Sequence, residues 1–167
     1  MLCMARIAFE VVSVDILLQN GVYHLSGRMD EFSEFDILTQ AVGTLQLNIG
    51  KITSINSIGV RKLLGFIVAW DPRQIEFFEA TPEFIGNVNI IPQLVGIKPT
   101  NKAIRTFYVP FYCTACKCTE VELWDHAKLQ LSATGDVVVP AKVCGKCGEN
   151  MELDAEPSEY FIFLKRG

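Results

Sequence analysis

Long apolar runs are missing from this sequence, although 50% of its residues are hydrophobic. The longest such run extends from Leu63 to Trp70, whereas a membrane-spanning helix needs about 20 apolar residues. The start of the chain does not fit a secretory signal either, because Arg6 and Glu10 interrupt a short apolar stretch. We therefore expect a globular protein that works in the cytoplasm without membrane insertion.

An excess of positive charge is also missing. The formal net charge is -4, and from Val109 onward six Lys and Arg residues stand against nine Asp and Glu residues. Proteins that bind nucleic acids need cationic side chains to neutralise phosphates. The composition therefore argues against a nucleic-acid partner.

Recognisable catalytic signatures are absent as well. The sequence has no glycine-rich phosphate loop followed by Lys and Ser or Thr, and no Gly-x-Ser-x-Gly elbow. Its two histidines, His24 and His126, have no placement that predicts activation of a nucleophile. We therefore expect a protein that is not an enzyme.

Cysteines, in contrast, are concentrated in the last third of the chain. Two Cys-x-x-Cys pairs are separated by residues 117–143, and two such pairs can complete the tetrahedral four-sulfur shell that zinc prefers. A closed shell of this kind leaves no open position for substrate or water, so the metal has a structural role. The sequence thus predicts a zinc ribbon with the ligands Cys113, Cys116, Cys144 and Cys147.

Several alternatives to a zinc ribbon stay open at this stage. The thiols can be free buried cysteines, disulfides or a redox pair, and a four-cysteine site can also hold iron. Gly145 and Gly148 stand where a tight turn can need a positive φ, whereas the first pair has no such glycine. Cys118 is either a substitute ligand or a bystander, and Cys3 is expected to be a bystander.

Strand and helix patterns alternate over the first part of the chain. Asn20-Gly21 between two apolar runs predicts a β-hairpin. These patterns predict an α/β domain over residues 1–98, with a mixed sheet flanked by helices. The further predicted elements are a helix from Ser33 to Gly43 capped by Ser33 and Asp36, a strand over Leu45–Ile49, a helix whose stripe runs from Val60 to Ile67, a strand over Ile75–Ala80 and a helix that begins at Thr81-Pro82.

Residues 99–167 form the second predicted unit, a small β-rich zinc ribbon behind a linker at Lys98–Asn101. Its abundant aromatic side chains exceed what so small a unit can bury alone, so we expect it to pack on the first domain, on a second copy or on a partner. The predicted pairings are Ala103–Tyr112 with Tyr160–Leu164, and an inner hairpin of Val121–Trp124 with Val137–Val139 around Gly135-Asp136.

Three segments of the first domain resemble the STAS domain of bacterial anti-sigma factor antagonists. They are Ser26-Gly-Arg-Met-Asp30 followed by a helix, Leu45-Gln-Leu-Asn-Ile49, and Ile55-Asn-Ser-Ile-Gly-Val-Arg-Lys-Leu-Leu64. Their order and spacing fit the family over roughly residues 10–95. The resemblance implies a STAS-like mixed sheet and a non-enzymatic signalling adaptor that binds an anti-sigma factor, a serine kinase of that type or a signalling complex.

The resemblance also implies which residues carry this function. Ser57 matches the serine that a partner kinase phosphorylates in the family, and Gly59 matches the following glycine. Asn56 stands where the family has aspartate, and Ile58 replaces a second serine. Candidate partner-binding residues are Asp30, Asn56, Ile58, Gly59, Arg61 and Lys62.

Other interpretations of these residues remain open. Asn56 or Ser57 can simply cap the helix that follows, and Asp30 can be a turn residue at the end of a strand. Arg61 and Lys62 can be ordinary solvated side chains. Two other classes of function are a STAS-like module that senses a small, nucleotide-like ligand and a scaffold that responds to zinc or redox state. A homodimer is also open.

Overall fold

The computed structural model describes residues 13–70, 74–95 and 103–165, which form two four-stranded sheets and three α-helices. Cys3 and the predicted linker Lys98–Asn101 lie outside these ranges. The strands are β1 Asp15–Gln19, β2 Val22–Met29, β3 Leu45–Ile55, β4 Ile75–Phe78, β5 Thr106–Tyr112, β6 Thr119–Asp125, β7 Lys142–Val143 and β8 Asn150–Leu153; the helices are α1 Ser57–Trp70, α2 Pro82–Ile90 and α3 Pro157–Tyr160.

The first sheet is mixed and has the strand order β1-β2-β3-β4. Strands β1 and β2 form an antiparallel hairpin, while β2, β3 and β4 run parallel. At the hairpin turn Asn20 and Gly21 have φ values of 51° and 82°, as a type I′ turn requires. The predicted hairpin and the mixed sheet are therefore confirmed.

Helices α1 and α2 supply much of the apolar core of this part of the chain. Helix α1 ends at Trp70, and α2 begins after Thr81, as predicted; the Thr81 hydroxyl accepts a hydrogen bond from the Phe84 amide at 3.3 Å. Burial of each large apolar side chain contributes about 1.5–3 kcal/mol. The buried residues of the two helices include Val60, Leu63, Ile67 and Trp70 in α1 and Phe84, Ile85 and Val88 in α2.

Strand β5 connects the two sheets. Just before and within it, Ile104 and Phe107 form parallel bridges to Phe77 and Ala80 at the end of β4. Strand β5 then continues into the second sheet, whose order is β6-β5-β8-β7. One cluster of buried side chains includes residues of both sheets, among them Phe77 of β4 and Phe111 of β5. The second sheet thus packs on the first, which is one of the arrangements expected from the aromatic content of residues 99–167.

The predicted helix between Ser33 and Gly43 is wrong in type and in its cap. The chain forms a short 3-10 helix over Asp36–Gln40 without a side-chain cap. The Ser33 hydroxyl instead accepts a hydrogen bond from the Asp30 amide at 2.8 Å. Because Ser33 closes the preceding turn, it is not available to start a helix.

The predicted strand over Tyr160–Leu164 is also wrong. Helix α3 and a 3-10 helix over Phe161–Lys165 occupy this segment. Strand β5 has β6 on one edge and β8 on the other, so neither edge is free for a third strand. The aromatic side chains of this segment instead pack against side chains of β5, and the ring centroids of Phe107 and Phe163 are 5.2 Å apart.

The predicted inner hairpin of the ribbon is wrong in its pairing. Val121–Trp124 does lie in a strand, but that strand is β6 and its partner is β5. Val137 forms only an isolated bridge, to Leu131. The turn at Gly135 is present, with φ of 81°.

In the part of the chain that the structure describes, no helix has the length and apolar character needed to span a membrane.

Candidate metal centre and the amino-terminal end of helix α1

Two turns with the same hydrogen-bond pattern hold the four predicted ligands. In each turn the amide four residues after the first cysteine donates to that cysteine's carbonyl, and the cysteine's own amide donates to the carbonyl five residues ahead. The four bonds are Lys117 N to Cys113 O at 2.9 Å, Cys113 N to Cys118 O at 2.9 Å, Gly148 N to Cys144 O at 3.0 Å and Cys144 N to Glu149 O at 2.8 Å.

The second sheet brings these two turns together. The first turn joins β5 to β6, and the second joins β7 to β8. Strands β5 and β8 pair through Phe111 with Leu153 and Tyr112 with Glu152. Each turn therefore projects from the same end of the sheet, with its two cysteines facing the other pair.

The four sulfur atoms lie in one cluster, within 4.8 Å of one another. Cys113 Sγ is 3.5 Å from Cys147 Sγ, and Cys116 Sγ is 3.6 Å from Cys144 Sγ. Four thiolates around a tetrahedral zinc ion, each about 2.3 Å from it, are about 3.8 Å apart. The cysteines are not joined as disulfides, and the group can hold a metal ion.

Backbone amides prepare two of these thiols to ligate. Cys113 and Cys144 are buried, with 0% and 2% of their surface exposed. Hydrogen bonds from the amides of Lys146 and Cys147 lower the pKa of Cys144 to about 6. The Cys116 amide likewise lowers the pKa of Cys113. The thiolate is the form of cysteine that binds metals, so the backbone favours the metal-binding form of these two cysteines, whereas a hydrogen bond with Cys118 raises the pKa of Cys116 to about 11.

The first turn carries a strained residue where the second has glycine. Lys117 has φ of 59°, and Gly148 at the equivalent position has φ of 80°. A side chain in this left-handed region costs about 1–2 kcal/mol in general. Only the second turn has glycine at the position with positive φ, so the first turn bears this cost at Lys117.

We expect Lys117→Gly to raise the melting temperature by about 2–4 °C, because glycine adopts the left-handed conformation without steric cost. Lys146→Gly is the matched control, since Lys146 lies inside the second turn and is not among the positive-φ residues. Thermal unfolding of both variants checks the prediction. An equal shift in the two variants would show that the φ of Lys117 does not limit stability.

A fifth cysteine lies against the four. Cys118 Sγ is 3.2 Å from Cys116 Sγ and 3.5 Å from Cys144 Sγ. Cys118 and Cys144 also form a second group of potential ligands with Glu120. The sequence left the role of Cys118 open, and the structure places it at the edge of the candidate metal centre.

The amino-terminal end of α1 holds the second candidate site. Asn56 caps the helix, because its Oδ1 accepts hydrogen bonds from the amides of Ile58 at 3.0 Å and Gly59 at 2.8 Å. Ser57 is exposed as the first helical residue. Within the described residues no hydrogen bond to its hydroxyl is formed, so Ser57 is not the cap.

Four side chains at this end of the helix are exposed together, and we call them the Ser57 surface: Asn56, Ser57, Ile58 and Arg61. Ile58 is a large apolar side chain with 43% of its surface exposed. Glu31, which the sequence analysis missed, accepts a hydrogen bond from Asn56 Nδ2 at 2.9 Å. Its only sequence signal was its position beside Asp30.

The remaining candidate residues are not part of the Ser57 surface: Asp30 and Gly59 are buried, and the exposed Lys62 contacts the turn after β2. Asp30 is buried, and its carboxylate accepts hydrogen bonds from the Ser13 hydroxyl and the Phe32 amide, both at 3.0 Å. Lys62 Nζ donates to the Ser33 carbonyl at 3.1 Å. Gly59 is buried with its Cα against the backbone of residues 29 and 30. The contacts of Lys62 and Gly59 hold α1 against the turn after β2.

Comparison of the chain with protein-family models, with curated proteins and with solved structures gives no match. The residues of the chain itself are therefore the basis for a proposal about its function.

Proposed function

We propose that this protein is a non-enzymatic signalling adaptor with a STAS-like domain, and that it binds a protein partner through the Ser57 surface. The partner would be an anti-sigma factor, a serine kinase of that type or a related signalling complex. The observation that carries the proposal is that Ser57 is exposed in the first turn of α1 while Asn56 makes the cap. The hydroxyl of Ser57 is thus accessible without any cost to the helix.

Phosphorylation of Ser57 is the proposed switch. The amides of Ile58 and Gly59 already donate to the Asn56 cap, but the positive end of the helix dipole still favours a phosphate at the first turn. Arg61 lies one turn further along on the same side of the helix. A phosphate adds about two negative charges beside the exposed apolar Ile58, so a partner that packs on Ile58 would be released.

Zinc is the metal that we propose for the four-cysteine centre. Four thiolates at tetrahedral spacing are a closed set that suits zinc as a structural ion, and reduced thiols fit the cytoplasm. When bound, the ion would supply cross-links between the two turns and no chemistry. The ribbon then serves as a rigid extension of the adaptor.

We expect affinity capture from the native cells to separate three forms of the protein. Wild type and Ser57→Ala retain a kinase-like or anti-sigma partner, whereas Ser57→Asp loses it because of the added charge. Ser158→Asp is the matched control, since Ser158 is another exposed serine in the first turn of a helix. Mass spectrometry identifies the partner and the phosphorylation state of the Ser57 peptide.

Two results would refute the switch. One is capture of the same partners by wild type, Ser57→Asp and Ser158→Asp. The other is loss of the partner with Ser158→Asp to the same extent as with Ser57→Asp, which would show a general effect of charge. A Ser57 peptide that is never phosphorylated would restrict the proposal to constitutive docking.

A small-ligand sensor is the second candidate, because a polar cleft of about 240 Å³ lies beside the Ser57 surface. A nucleotide-like ligand in this cleft would place its phosphate near Arg28 and would not need Ser57. A thermal shift with such a ligand that is unchanged in Ser57→Ala would favour this function. The cleft is lined by Arg28, Met29, Asp30, Glu31, Ser54 and Asn56.

A further inference from the structure

The five clustered thiols differ in their access to solvent. Cys147 is exposed, whereas Cys113 and Cys144 are buried and Cys116 and Cys118 are half-buried. Oxidants and electrophiles reach exposed thiols first. Cys147 is therefore the ligand of the four-cysteine centre that is most open to chemical loss.

Cys118 is placed to compensate for that loss. Its sulfur already touches two of the remaining ligands, at 3.2 Å from Cys116 and 3.5 Å from Cys144. The Cys118 carbonyl also accepts the Cys113 amide at 2.9 Å, so the turn that holds two ligands fixes the backbone of Cys118. A rotation of its side chain toward the centre then requires no change in that turn.

Glu120 is a weaker candidate for the same role, although it lies within reach of Cys118 and Cys144. Its Oε1 accepts the Gly145 amide at 3.0 Å, and its Oε2 is 3.6 Å from Lys142 Nζ. Both carboxylate oxygens are thus engaged. Zinc in a site of this kind also prefers a sulfur ligand.

We propose that Cys118 is a reserve ligand, which takes the place of Cys147 at the metal when Cys147 leaves. In this exchange the bond from the metal to Cys147 Sγ breaks and a bond to Cys118 Sγ forms. The proton released by Cys118 passes to solvent, and Cys147 takes up a proton or the electrophile that removed it. The inference rests on the proposed metal centre. The exchange of ligands would make this centre resistant to modification of its exposed ligand.

The test is titration of the full-length protein with cobalt(II), which occupies tetrahedral thiolate sites and reports the number of thiolates by the intensity of its charge-transfer absorption. Wild type, Cys147→Ser, Cys118→Ser and the double variant are compared. We expect the first three to show the intensity of four thiolates, and the double variant to show that of three. Competition with a chelator measures the metal affinity of each protein. Relative to wild type, this affinity should fall less than about tenfold in Cys147→Ser but more than about a hundredfold in the double variant.

The outcomes separate this inference from the proposal on which it rests. If wild type shows four thiolates but Cys147→Ser shows three and matches the double variant in affinity, the reserve-ligand proposal is wrong and the metal centre stands. If wild type binds no cobalt, both are wrong. Far-ultraviolet circular dichroism of each variant shows whether a loss of binding comes from a loss of fold.

Discussion

Joint removal of Cys113 and Cys147 should lower the melting temperature of the protein by about 10 °C or more, because it eliminates the metal centre. These two sulfur atoms are 3.5 Å apart and represent one ligand from each turn. Cys118 can supply only one sulfur, so it cannot restore four ligands in Cys113→Ser/Cys147→Ser. The expected loss is large because the other contacts that join the second turn to β6, such as the hydrogen bond from the Gly145 amide to Glu120 at 3.0 Å, are each worth only about 1–3 kcal/mol.

The weakness of the second sheet without metal follows from its short strands. Strand β7 has 2 residues and β8 has 4, and hairpins of this length are not stable alone in water. Only two residue pairs join β5 to β8. The metal would therefore be the main cross-link between the β5–β6 and β7–β8 hairpins.

The matched control for this prediction is Thr114→Ala/Lys146→Ala. Both residues are exposed and lie inside the same turns, and their backbone amides remain in the variant. Thermal unfolding with and without a chelator is the measurement. Chelation should lower the melting temperature of wild type and of the control but leave Cys113→Ser/Cys147→Ser unchanged. Equal melting of all three proteins, with no effect of chelator, would contradict the structural role of a metal.

The second large effect is expected for Gly59→Ala, which should destabilise the protein by about 3 kcal/mol or more. A Cβ atom at this position would lie 2.2 Å from the Met29 carbonyl oxygen and 2.7 Å from the Asp30 amide nitrogen. Both neighbours are backbone atoms, so the clash cannot be relieved by a side-chain rotation. Helix α1 would have to move away from the turn after β2.

Gly65→Ala is the matched control in the same helix. No atom lies within 4 Å of a Cβ built there, and alanine stabilises a helix interior by about 1 kcal/mol relative to glycine. Chemical denaturation of the two variants should therefore give changes of opposite sign. A small loss in Gly59→Ala, comparable with that of ordinary surface variants, would show that α1 does not pack so closely on residues 29 and 30.

Features that depend on neighbouring residues could be predicted from the sequence. Asn20-Gly21 specifies its own turn because both residues accept a positive φ, and Thr81-Pro82 starts a helix through a local cap and a fixed φ. The two Cys-x-x-Cys pairs predicted a cluster of four thiols, and the structure confirms that these cysteines lie within metal-binding distance. In each case the information lies within a few residues.

Features that depend on distant partners could not be predicted in this way. Tyr160–Leu164 has a composition typical of a strand, but both edges of β5 are already paired. Ser33 resembles a helix cap, yet its hydroxyl accepts the Asp30 amide in a turn. Only the fold decides which of two local options such a residue takes.

The two candidate sites show the same difference between what neighbouring residues specify and what the fold specifies. The sequence left open whether Asn56 or Ser57 caps α1, and the geometry assigns the cap to Asn56. The proximity of Cys118 to Cys144 likewise depends on the pairing of β5 with β8. The sequence identified the candidate residues, while the structure distinguishes their positions.

X-ray absorption spectroscopy of the protein as isolated from its own cells tests the metal centre most directly, because it identifies the metal and its ligands together. The result that we expect is zinc with four sulfur ligands at about 2.3 Å. A chain without metal, with another metal, or with oxygen and nitrogen ligands in place of sulfur would contradict the assignment of Cys113, Cys116, Cys144 and Cys147 as a structural zinc site.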